Sequence, residues 1–139
     1  MSDPITYIQL IPESAPPALA VGPARFVIVV NAEVTYDWQK LVSDWVVGSG
    51  SLYMMAWGPG CSSWDDSFDW ANLDQFWDDP IPDDQFIVTT WHDDEPLEEV
   101  FWFSKTLAQH HTVKLVETVI LDISTANRKD ELLGLYESA

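Results

Sequence analysis

Two kinds of apolar run alternate along this chain. Residues 26–30 (FVIVV) are continuously apolar and rich in β-branched side chains, the pattern of a strand covered on both faces, as in a parallel sheet. A helical spacing follows. Trp38, Leu41, Val42, Trp45 and Val46 recur at i, i+3, i+4, i+7 and i+8, which predicts a helix over 36–47. Thr35 is placed to cap it, and Gly48 and Gly50 to end it. A second strand is expected at 51–57 (SLYMMAW), then a tight Gly58-Pro59-Gly60 turn and a helix over 63–77. Ser63 and Asp66 have a capping-box spacing at its start. That helix carries two apolar stripes: Trp64, Phe68 and Ala71 on one, Trp70, Leu73 and Trp77 on the other.

After a Pro/Asp loop at 78–84, residues 86–91 (FIVTTW) read as a third strand. Pro96 fits the first position of a helix over 96–109, whose stripe includes Leu97, Val100, Phe101, Leu107 and Ala108. His110 and His111 are expected at its C-terminus, favoured there by the helix dipole. A fourth strand at 116–123 and a weaker helix at 126–138 complete the pattern. The first 24 residues hold Pro12, Pro16, Pro17 and Pro23 and read as an extended arm, with one edge strand at 7–11. The alternation predicts an α/β chain: a small three-layer α/β/α, Rossmann-like domain at 25–139, preceded by the arm at 1–24, with a mostly parallel sheet of four or five strands.

Composition adds the acid. Twenty-three Asp and Glu oppose six Lys and Arg, a formal net charge of -17. No Lys or Arg lies between Lys40 and Lys105, and thirteen acids lie from Asp65 to Glu99. Such a field repels nucleic acid and anionic membrane, and attracts a basic protein surface or a cation. Eight Trp and 47% apolar residues separate this chain from a disordered acidic tail. Most of the Trp are expected in the core. The single cysteine, Cys61, allows no internal disulfide. The first ten residues have neither a positive start nor a long apolar run, and the expected location is cytoplasmic.

Several segments together resemble a known family. They are Val42–Trp45, the SLYMMAWG strand with Cys61 just beyond it, Trp64–Asp69, and above all the run from Thr89 to Leu97 (TTWHDDEPL). The chain is similar, over about residues 25–124, to a family of small standalone bacterial domains of unknown function. The resemblance implies a bacterial intracellular protein and assigns no chemistry.

Ligands of open α/β sheets sit beyond the carboxyl ends of the strands. Those ends are expected to present Asn31 and Glu33, the 58–61 turn, His92 to Asp94, and Asp122 with Ser124. Cys61, His92 and Asp93 supply a thiol, an imidazole and a carboxylate, the parts of a nucleophile, base and orienter set. The bland reading makes Cys61 a packing residue and His92 a loop-binding one. Asp93, Asp94 and Glu95 with Asp122 offer hard oxygen donors, although acids before a helix also serve its N-terminus. No EF-hand loop, zinc spacing, GxGxxG run or Walker motif is present, so no metal and no cofactor is assigned.

The leading expectation is a non-enzymatic, acidic protein-binding domain, such as an immunity protein or inhibitor that blocks a basic toxin. Its face would comprise Asp65, Asp66, Asp69, Trp70, Asp74, Trp77, Asp78, Asp79, Asp83 and Asp84. The alternative is a small enzyme or ligand-binding domain built on Cys61, His92 and Asp93. A third reading leaves the acid as a solubility device.

Overall fold

The computed structural model describes residues 3–77 and 79–139. Five parallel strands form one sheet in the order β1-β5-β2-β3-β4: β1 Ile5–Leu10, β2 Ala24–Val30, β3 Ser51–Trp57, β4 Val88–His92 and β5 Glu117–Ile123. The four helices are α1 Tyr36–Gly48, α2 Cys61–Asp74, α3 Leu97–Thr106 and α4 Lys129–Ser138. Every residue of β2 is buried, as its unbroken apolar run requires of a central strand. The chain steps outward from β2 to β3 to β4, which places α1 and α2 on one face. It then returns past β3 and β2 to β5, and the right-handed crossover carries α3 to the other face, where it packs on α4. The three-layer α/β/α, Rossmann-like reading is therefore the observed architecture.

Each helical layer is set by aromatic contacts. Trp38 meets Trp64 edge-on at 6.4 Å between α1 and α2, and Trp64 lies 5.8 Å from Phe68. Small Ser43 and Ser67 let those helices approach, their hydroxyls 2.7 Å apart. On the other face Phe101 lies 5.0 Å from Tyr136, and Lys105 Nζ donates to the carbonyls of Tyr136, Glu137 and Ala139.

Four expectations are corrected. First, the edge strand expected at 7–11 is present but runs over Ile5–Leu10, and it pairs with β5 from Ile5↔Thr118 to Leu10↔Ile123. The proline-rich stretch beyond it lies on α1, where Trp38 Nε1 donates to Ser14 O and Trp45 Nε1 to Pro17 O, both at 2.7 Å. Second, α2 begins at Cys61, because Gly60 in a left-handed conformation (φ 74°) carries the chain straight from the turn into the helix. Ser63 therefore caps nothing, and its hydroxyl meets the Gln39 side chain. Third, α3 stops at Thr106, so His110 is no helix-end cation partner. Its Nδ1 accepts from the N–H groups of Thr112 and Val113, and Nε2 donates to Phe86 O at 2.7 Å. Fourth, the Trp residues divide. Trp38 and Trp64 are core, whereas Trp70, Trp77, Trp91 and Trp102 are exposed.

Candidate functional site

The carboxyl edge of the sheet holds two separate clusters. The first sits at the switch point, where β2 leads to α1 on one face and β5 to α4 on the other. Asp122 is fully buried there and every donor around it is used. It accepts from Tyr7 Oη at 2.6 Å, Asn31 Nδ2 at 3.1 Å, and Arg128 at 2.7 and 3.2 Å. Burial, then the Asp122 hydrogen bond, pushes the Tyr7 phenol up to about 12. The hydrogen bond to Asp122 also raises the Arg128 guanidinium. This closed network leaves Asp122 no lone pair to share with Asp93, Asp94 and Glu95. Those residues lie beyond β4, three strand spacings or about 14 Å away. The expected hard-oxygen set is not assembled.

The second cluster lies at the end of β4. His92 and Asp93 do stand at the same edge as the 58–61 turn. Side-chain alternation decides what they can do together. Thr89 faces α2, and its hydroxyl donates to Asp69 at 2.7 Å. Thr90 and His92 face α3, where the imidazole packs 5.1 Å from the Phe103 ring. Cys61 opens α2 on the opposite face, its thiol against the main-chain N–H of His92 and not the ring, and burial pushes that thiol up. A thiol held protonated, with the sheet between it and the imidazole, is not an activated nucleophile. The His92 ring is committed elsewhere: Nδ1 lies 3.0 Å from Glu95 Oε2 and Nε2 lies 2.8 Å from Thr90 Oγ1. Thr90, His92 and Glu95 thus form a hydroxyl–imidazole–carboxylate chain that sequence reasoning missed. His92 and Glu95 border an open cavity of 610 Å³ with Trp102 and Phe103. The i, i+2 pairing of Thr90 with His92 on a strand was the available signal.

The acidic face is built mainly by α2 and the loop after it. The stripe of Trp64, Phe68 and Ala71 is buried, and the stripe of Trp70, Leu73 and Trp77 is exposed. Trp70 is 67% exposed and Trp77 is 88% exposed. Trp77 also adopts a left-handed backbone (φ 53°), which is costly for a bulky residue. The arm that could have covered this stripe lies over α1 instead. Asp66, Asp69, Asp74, Asp79, Asp83 and Asp84 are exposed, while Asp78 lies outside the described residues. Asp65 differs from its neighbours, being only 6% exposed. Its carboxyl is raised by burial, and further by the Asp69 and Asp66 carboxylates, against the lowering effect of the Thr89 hydroxyl. The acids are also not wholly without a cation. Lys40, on α1, reaches Asp44 at 3.1 Å and Asp74 at 3.9 Å. A groove of 430 Å³ between α1 and α2 is lined by Tyr36, Lys40, Asp44, Asp66, Trp70 and Asp74, among others.

Among the described residues no helix is long and apolar enough to cross a membrane. A family model described as "Domain of unknown function (DUF7684)" matches residues 5–139, and the chain belongs to that family. The match extends through β1 and α4, beyond the 25–124 stretch that carries the resemblance. Neither a search of curated proteins nor one of solved structures finds a match.

Proposed function

We propose that this DUF7684 domain is a non-enzymatic binding protein whose α2 face docks a basic protein surface. The observation that carries the reading is the display of Trp70 and Trp77, uncovered and ringed by carboxylates. Exposed aromatic anchors set among charges are what binding hot spots require. The left-handed backbone at Trp77 points the same way, since strain is retained where a side chain must be presented. The acid supplies steering and the aromatics supply residence time. A basic toxin or nuclease, held inactive in the bacterial cytoplasm by an immunity-type partner, has the matching chemistry.

The test is capture of partners by the wild-type chain and by a variant with Asp79, Asp83 and Asp84 replaced by Asn, then kinetics on the captured protein. A basic partner whose association slows about ten-fold or more with added salt, and slows likewise with the Asn variant, supports the reading. Trp77→Ala should instead hasten dissociation. Binding indifferent to both salt and the Asn substitutions overturns it.

A second reading rests on the Thr90–His92–Glu95 chain beside its cavity, in which His92 would act as base toward a hydroxyl. A fluorophosphonate probe should then label Thr90 in the wild type and fail to label the His92→Ala chain. No labelling of the wild type removes this reading.

A further inference from the structure

Asp65 poses a problem that the binding face does not solve. The residue is more than nine-tenths buried, and its Oδ1 has no hydrogen-bond partner. Among the described residues it is the one buried side-chain oxygen or nitrogen in that condition. An unpartnered buried carboxylate oxygen costs several kcal/mol, as a rule, unless a cation or donor meets it. Asp66 and Asp69 add like charge, and the Thr89 hydroxyl offsets only part of it. Asp65, Asp66 and Asp69 fall at i, i+1 and i+4 of α2, and one oxygen from each lies within 4.8 Å of the others. The neighbouring strand adds a hydroxyl, Thr89 Oγ1, 2.7 Å from Asp69 Oδ1. Two carboxylates of the three are exposed, so one side of the group is open to water.

We propose that Asp65, Asp66 and Asp69 form a binding site for a hard divalent cation, Mg²⁺ or Ca²⁺. The donors are all oxygen, which suits those ions and not zinc or copper. The buried Asp65 carboxylate provides the inner wall, and Asp66 and Asp69 close the outer side together with water. An octahedral Mg²⁺ that keeps several waters and a Ca²⁺ with more oxygens both fit three carboxylates grouped on one open side. The site joins α2 to β4 through Thr89, so the cation tightens the contact between that helix and the edge strand. Asp66 and Asp69 also belong to the proposed docking face, but the cation site needs no partner and is tested with the metal alone.

The experiment is isothermal titration of the chelator-treated full chain with CaCl2 and, separately, MgCl2. Thermal unfolding is followed in parallel at constant ionic strength. One saturable site is expected, with a Kd on the order of 10⁻⁵–10⁻³ M and a midpoint rise of a few degrees at saturation. Asp65→Asn and Asp69→Asn should each weaken that site at least about ten-fold. Asp65→Asn should also leave the metal-free chain as stable as the wild type or more so, because it removes an unpaired buried charge. Generic screening of the acidic surface is controlled by the Asp83→Asn/Asp84→Asn double variant, which removes charge away from the site and should retain the saturable binding. A response that is unsaturable, or that falls equally in all these variants, overturns the site. So does the absence of any response beyond that of matched NaCl.

Discussion

Tyr7 and Arg128 are 121 residues apart and meet on one carboxylate. The phenol donates to Asp122 and accepts from the Arg128 main-chain N–H, so Tyr7→Phe deletes both bonds. We expect a loss of about 1–3 kcal/mol in urea unfolding. The same bond has a pH signature. The folded phenol titrates at about 12 against an ordinary 10.0, so the folded state holds the proton more tightly than the unfolded one. Its stabilisation is complete below about pH 10 and is lost as pH rises from there toward 12. Unfolding across that window should show a slope that Tyr7→Phe flattens. Arg128→Met goes further, leaving the buried Asp122 carboxylate with its Tyr7 and Asn31 hydrogen bonds but no opposing charge, and should cost about 3–5 kcal/mol. The sequence places Asn31 and Asp122 at strand ends because periodicity locates strand ends. It gives no hint of Tyr7 or Arg128, since pairing across the sheet edge leaves no periodic trace.

Helix starts show where local rules hold and where they yield. Thr35 caps α1 as its position predicts, accepting from Trp38 N at 3.3 Å, and Thr35→Ala should cost about 1 kcal/mol. Ser63 has the same credentials and does nothing of the kind. The N–H groups of Ser63 and Trp64 are already taken by Gly60 O, at 3.1 and 3.3 Å. The turn itself winds into the helix, and a capping box is redundant one half-turn inside. Ser63→Ala should therefore change thermal stability much less than Thr35→Ala, a comparison that one melting series settles. Gly58 is the stricter element of this turn. At φ 105° a Cβ there would lie 2.3 Å from Val30 O, so Gly58→Ala must displace the end of β2. A loss of several kcal/mol, read as a large drop in the unfolding midpoint, is expected.

Across the whole molecule the net charge of -17 sets a standing repulsion, concentrated on the α2 side. Screening should relieve it, so the unfolding midpoint should rise by a few degrees from about 10 mM to about 0.5 M NaCl. A fall over that range would mean that ion pairs, and not repulsion, dominate the surface. At this scale the alternation of strand and helix patterns gave the parallel sheet and its two helical layers. It could not give the strand order, because β4 and β5 are consecutive in sequence yet end on either side of two other strands. The handedness of the crossover, and not any local residue, makes that choice. The second stripe of α2 was likewise visible, but only the path of the proline-rich stretch over α1 decided that Trp70 and Trp77 stay bare.

β1 pairs with β5 alone, and Ile5 finds its partner at Thr118. During synthesis β1 is made before β2, β3 and β4, yet the strand that it pairs with is made after all of them. The units β2-α1-β3 and β3-α2-β4 close over short stretches and can assemble as they emerge. Ile5–Leu10 must wait until residues 117–123 are made, on the order of ten seconds at typical translation rates. Through that interval β2 offers one unpaired side, the place kept for β5. The topology therefore predicts a late double insertion. β5 then enters between β1 and β2, and Asp122 gathers Tyr7 and Arg128 as it seats.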